Sequence, residues 1–130
     1  MRLILNTGDA LGGAEDLERN CRRHRLWREI IDAEFAGLTV KSILGNHEYD
    51  WLPEDPAIPG GLNDLLAALE MPGRYYQFDE AGWRFIAIDS TRLDRGDEAQ
   101  IAWLENLLAQ TPAGMPVAIS MSLTSWSRLT

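Results

Sequence analysis

Cysteine, histidine, net positive charge and long apolar runs are all scarce in this sequence. The single cysteine, Cys21, cannot form an internal disulfide, and with no Cys-x-x-Cys pair or Cys/His cluster around it a thiolate zinc site is excluded. It reads as a small buried hydrophobe on a helix. The formal net charge of -8 leaves few cations to neutralise phosphates, which argues against nucleic-acid duplex binding. A bound divalent metal would change that balance locally. No apolar run is long enough to span a membrane, and Met1-Arg2-Leu3 enters a strand-like run without a signal-peptide layout, so a soluble, unprocessed chain is expected. Internal repeats, low-complexity segments and a second-domain linker are missing too. What remains is 130 residues, 45% apolar, enough for one domain with a core that needs no staples.

Along that domain, Leu3-Ile4-Leu5 is a short apolar run closed by Asn6-Thr7-Gly8-Asp9, a buried strand entering a loop that continues through Gly12-Gly13. From Glu15 to Ala36, Leu17, Cys21, Trp27, Ile31 and Phe35 recur mostly at helical spacing, with Arg19, Arg22, Arg23 and Arg25 on other faces. Gly37 ends that helix. Thr39 to Leu44 is rich in β-branched residues and stops at Gly45, which makes a second strand and completes a βαβ unit with parallel strands. The loops at Gly8-Asp9 and at Gly45 to Glu48 then share the carboxyl edge of that sheet, where open α/β sheets build their sites. Further on, Leu62 to Leu69 reads as a short helix. Tyr75 to Phe78 and Trp83 to Ile88 flank Asp79-Glu80-Ala81-Gly82, a hairpin with a loop of about four residues. Asp97 caps a helix to Leu108, with Gln100 at the capping-box position and Ile101, Leu104 and Leu108 as its buried stripe. Pro116-Val117-Ala118-Ile119 begins a last strand.

The chemistry-bearing residues gather at the two carboxyl-edge loops. Asp9 offers two carboxylate oxygens, which can bridge two cations, and Asn46 a neutral amide oxygen. His47 can protonate a leaving oxygen near neutral pH, and Glu48 beside it can orient that imidazole and raise its pKa. Glycine before each cluster permits unusual backbone angles and lets a ligand approach the main chain, though Gly-Asp and Gly-Asn are also common turn dipeptides. The acidic loop Glu48, Asp50, Glu54 and Asp55 reads as a solvated charge cluster before a ligand set. Tyr49 and Trp51 suit either stacking on a substrate or packing of the loop. Asp89-Ser90-Thr91 has no histidine left to activate Ser90. Trp27, Trp83 and Trp103 read as core, and His24 as a helix-surface residue.

Thr7-Gly8-Asp9 followed by Gly45-Asn46-His47-Glu48 resembles the calcineurin-like metallophosphoesterase superfamily. Weaker family-like stretches are Gly73 to Asp79, Phe85 to Ser90 and Gln100 to Leu104, so the similarity runs from Leu3 to Leu123. The resemblance implies an α/β fold, a β-sandwich flanked by helices, with two divalent ions (Mn, Fe or Zn) and hydrolysis of phosphate mono- or diesters. It implies Asp9 as a bridging metal ligand, Asn46 as a ligand of one ion, and His47 as the catalytic group that protonates the leaving oxygen or stabilises the transferring phosphoryl group, with Glu48 beside it.

The same family carries an Asp-x-His block before Gly-Asp, an isolated ligand histidine and a Gly-His-x-His block. None of these is matched here, and Ser120-Met121-Ser122 stands where the isolated histidine is expected. The expectation is therefore a single partial domain over residues 1–130 carrying half of a site, with no tight metal binding from Asp9 and Asn46 alone. The alternative is a non-catalytic remnant of the fold that binds a ligand or protein partner. Without the strand that precedes it in the family, Leu3 to Asn6 would also expose a sheet edge and favour self-association.

Overall fold

The computed structural model describes residues 2–11, 16–93 and 95–122 and is a mixed α/β structure. The Gly12-Gly13 loop and the tail from Thr124 to Thr130 lie outside the described residues. β1 (Leu3–Asn6) runs into helix α1 (Leu17–Glu34) and returns as β2 (Thr39–Ser42), parallel to β1 with Leu3 opposite Thr39 and Asn6 opposite Ser42. Asp16 caps α1 by accepting from the Arg19 amide at 2.8 Å, and Gly37, at φ 80°, turns the chain out of it.

After a 3-10 turn at His47–Tyr49 and helix α2 (Leu62–Ala68), β3 (Tyr76–Glu80) and β4 (Trp83–Ala87) form an antiparallel hairpin. Its loop is two residues, not four: Ala81 (φ 49°) and Gly82 (φ 82°) both sit in the left-handed region that closes tight hairpins, so pairing extends to Glu80 opposite Trp83. Helices α3 (Ser90–Leu93) and α4 (Glu98–Gln110) lead to β5 (Val117–Ser120), which lies parallel to β4. Among the described residues the strands make two sheets, β1-β2 and β3-β4-β5.

Residues of both sheets line one small cavity of about 110 Å³, and the Tyr76 hydroxyl crosses to the Ser42 carbonyl at 2.7 Å. The core is built around Ile43, Leu44, Leu65, Leu69, Met71 and Ala87. At about 25 cal/mol per Å² of apolar surface, each of the Ile, Leu and Met side chains contributes roughly 1.5–3 kcal/mol against exposure.

Two helices turn different faces inward than their apolar spacing indicates. In α4 the buried residue is Gln100, with Trp103, Leu104 and Leu107 half-buried along its stripe, while Ile101 and Leu108 are exposed. The cause is polar: the Gln100 side chain holds both the amide and the carbonyl of Asp89, which fixes the rotation of the helix. In α1, Asn20, His24 and Ile31 are buried and Leu17 and Leu26 exposed. His24 is thus an interior residue and not a surface one, because Asn20 fastens that face of α1 to the Gly60 carbonyl at 3.3 Å. Cys21 is half-buried beside it. Of the tryptophans, Trp27 packs on the core, Trp103 contacts Tyr75 at a ring separation of 4.8 Å, and Trp83 is exposed.

Candidate functional site

β1 and β2 are parallel, so the chain leaves both at the same edge, and the two loops that follow meet there. Their approach depends on glycine. A Cβ on Gly8 would sit 2.8 Å from the Gly45 nitrogen, at a φ of 93° that side chains resist. A Cβ on Gly45 would fall 2.1 Å from Asp9 Oδ1. Asp9 itself takes φ 55°, an unfavourable backbone for a residue with a side chain. Its carboxylate is thereby aimed back across the loop, where Oδ1 accepts the His47 amide at 3.1 Å. The sequence expectation that Asp9 and the Gly45 to Glu48 loop share one edge therefore holds as geometry.

Glu48 is almost wholly buried, 2% exposed, and its carboxylate faces the main chain. It accepts the amides of Gly45 at 2.6 Å, Asp9 at 2.9 Å and Leu11 at 3.2 Å, tying the end of one strand loop to the other. A carboxylate with two oxygens can satisfy three donors that would otherwise be stranded inside the protein.

The imidazole of His47 has a different partner from the neighbour expected from sequence. Its Nδ1 lies 2.9 Å from Asp50 Oδ2, and both side chains are about half exposed, at 50% and 44%. The hydrogen bond to Asp50 raises the His47 pKa above its ordinary value, with the Asp9, Asp50 and Glu48 charges adding to it against a smaller desolvation effect. The reason lies in the backbone. Residues 47–49 form a 3-10 turn, with the Asp50 amide donating to the His47 carbonyl at 3.1 Å, which sets positions three apart on one side and carries position 48 inward. The spacing of three from His47 is in the sequence, but it marks Asp50 as the partner only once the 3-10 turn is known.

The second sheet reaches the same rim through Asp89, which follows β4 and is fully buried. Its carboxylate accepts the Tyr49 hydroxyl and Arg74 Nη1, the latter at 2.6 Å, while Arg74 Nη2 bonds Asp97 at 2.8 Å. Burial, followed by the Asp89 hydrogen bond, pushes the Tyr49 phenol upward, so it remains a donor at neutral pH. Arg74, Asp89 and Gln100 come from the three stretches with only weak motif character, and here they form one connected network. Tyr49 therefore packs its loop onto the body, whereas Trp51 is 61% exposed. Ser90 donates to the Ser122 carbonyl at 2.5 Å, which occupies the hydroxyl structurally.

As donors for a divalent cation, the described residues supply the exposed Asp9 carboxylate, with one oxygen already accepting an amide, and the half-exposed Asn46. Among the described residues no three His, Cys, Asp or Glu side chains come together as a ligand group. Two oxygen donors fit part of a metal site and not a complete dinuclear one. Asn46 and Asp50 open onto a cavity of about 520 Å³ that also borders α3. Among the described residues no helix is long and apolar enough to cross a membrane. No protein-family model, curated protein or solved structure matches the chain.

Proposed function

We propose that this chain carries the proton-donating half of a metallophosphoesterase-type site, on an incomplete β-sandwich of that superfamily's kind. The observation that carries the reading is the joined corner in which Gly8 and Gly45 touch, Asp9 accepts the His47 amide, and Asp50 holds the His47 imidazole. A rigid scaffold under a half-exposed, readily protonated imidazole suits donation of a proton to a departing oxygen. In this reading His47 gives that proton through Nε2, since Nδ1 is held by Asp50. Asp9 and Asn46 would contribute two oxygen donors to divalent ions (Mn, Fe or Zn), the remaining ligands being supplied from elsewhere. No step is derived through those ions, because the donors at this corner do not complete their coordination.

The substrate on this reading is a phosphate mono- or diester, and nucleic-acid duplex is not expected as a partner. Arg74, Asp89 and Gln100, one from each of the weaker family-like stretches, meet in one hydrogen-bonded network and so share a structural task. Among the described residues β1 pairs with β2 alone, so the proposal includes self-association through that free edge.

The test is hydrolysis of bis(p-nitrophenyl) phosphate by the purified 130-residue chain with added manganese. Weak or absent turnover is expected. Robust turnover abolished by His47→Ala would overturn the half-site reading in favour of a complete enzyme. The second reading, a ligand-binding remnant, is favoured by Glu48, whose role at the corner is structural in every contact it makes. Saturable binding of a phosphoester with no turnover, unaffected by manganese, would select it.

A further inference from the structure

The cavity next to Asn46 and Asp50 has a second wall that the reading above does not use. α3 and the turn after it place Thr91, Arg92 and Arg95 on that wall. The Arg95 amide donates to the Arg92 carbonyl at 2.9 Å, a turn that leaves the two arginines three apart in sequence, and both line this cavity.

The nearby arginines differ in how their charge is spent. Arg74 is neutralised by Asp89 and Asp97 at 2.6 and 2.8 Å. Arg92 instead lies over the Tyr49 ring at 4.8 Å, and among the described residues neither it nor Arg95 has an ion-pair partner. In a chain of net charge -8, these two guanidinium groups, with no ion-pair partner among the described residues, are the cationic part of a cavity that Asp50 and Glu54 also line. Both arginines also line a neighbouring cavity of about 340 Å³ with Arg74 behind them. Two guanidinium groups with no ion-pair partner among the described residues suit an acceptor-rich ligand.

We infer that Arg92 and Arg95 form an anion subsite that holds a phosphate group of a ligand lying along the cavity toward Asn46. Two arginine forks offer several N–H donors, a number matched by the oxygens of a phosphate and not by a single carboxylate. The fixed position of Arg92 over Tyr49 reduces the ordering needed on binding. Asp50 and Glu54 also line the cavity and repel an anion near them, which confines the phosphate to the arginines. Only the far end of the ligand rests on the proposed function: if Asn46 and His47 act on a phosphoester, that substrate carries a second phosphate, as diphosphate compounds do.

The experiment is a pyrophosphate titration of the full chain followed by amide NMR in the presence of EDTA. The expected result is saturable shifts at Thr91 to Arg92 and Arg95 to Gly96, with the Kd weakened about tenfold or more in the Arg92→Gln/Arg95→Gln double variant. Arg92→Lys/Arg95→Lys should lose less, since charge is kept and the fork is not. Acetate at equal ionic strength should give no saturable shifts. A Kd unchanged in the double variant, or acetate binding as well as pyrophosphate, would overturn the subsite. Both substitutions are at exposed positions, and unchanged amide spectra elsewhere verify folding. The two proposals fail separately: arginine-dependent binding with no esterase lineage sinks only the hydrolytic reading, and binding indifferent to the arginines sinks only this one.

Discussion

The carboxyl-edge corner and the seam between α1 and α2 each bury one titratable side chain, and they treat it in opposite ways. At the corner, Glu48 is 2% exposed and accepts three main-chain amides. At the seam, His24 is 6% exposed and neither ring nitrogen has a hydrogen-bond partner. One buried group organises its surroundings and the other is tolerated by them. The contrast separates a carboxylate that the backbone requires from an imidazole carried inward by its helix, whose face is set by Asn20 four residues earlier.

The comparison breaks most severely at Glu48. Glu48→Ala leaves two buried amides and one part-buried amide without their acceptor and should cost about 2–5 kcal/mol in urea unfolding, from about 1–2 kcal/mol for each buried one and less for the third. Glu48→Gln retains one acceptor oxygen and should lose about half as much. If the alanine variant unfolds within 1 kcal/mol or so of the parent chain, the three bonds do not govern the corner.

Gly45→Ala attacks the same corner from the other loop. The added Cβ meets Asp9 Oδ1 at 2.1 Å and its amide nitrogen at 2.6 Å, so the loops must part and release the Asp9 bond to His47. A loss of about 2–4 kcal/mol is expected, with large amide shifts at Asp9 and His47 as the structural readout. Small shifts confined to residue 45 would mean that the loops are not in contact.

At the seam the sign reverses. His24→Leu removes two unsatisfied nitrogens and should leave stability unchanged or raise it by about 1 kcal/mol. Desolvation lowers the His24 pKa below its ordinary 6.5, with Asp64 opposing. A folded pKa below the unfolded one means that stability is fully present above about pH 6.5 and is lost as pH falls through the folded value. The leucine variant should therefore lose less stability on acidification than the parent. Parallel stability curves between pH 7 and pH 4 would show that His24 does not titrate with folding.

Reading the sequence fails and succeeds along the same division. The strands, the main helices and the meeting of Asp9 with the Gly45 to Glu48 loop followed from apolar runs, turn residues and the parallel βαβ connection, all local signals. What was hidden depended on which polar group is pulled inward. Gln100 and Asn20 reset the buried faces of their helices through long-range bonds to Asp89 and Gly60 that no periodicity encodes. The tight hairpin at Ala81-Gly82 was obscured because Ala81 is not a residue that signals a left-handed backbone. The exchange of roles between Glu48 and Asp50 arises from a 3-10 turn of three residues, too short to read from spacing alone.

That exchange is the centre of the account: Glu48 holds the corner and Asp50 tunes the imidazole. The hydrogen bond to Asp50 is the leading cause of the raised His47 pKa. With the folded pKa above the unfolded one, the stabilisation from this pair is complete below pH 6.5 and is lost as pH rises through the folded value. The direct measurement is an NMR titration of the His47 ring in the parent chain and in Asp50→Asn. The account predicts a midpoint above 6.5 in the parent and a lower one in the variant, with the fold unchanged. An identical midpoint in the two proteins would contradict it.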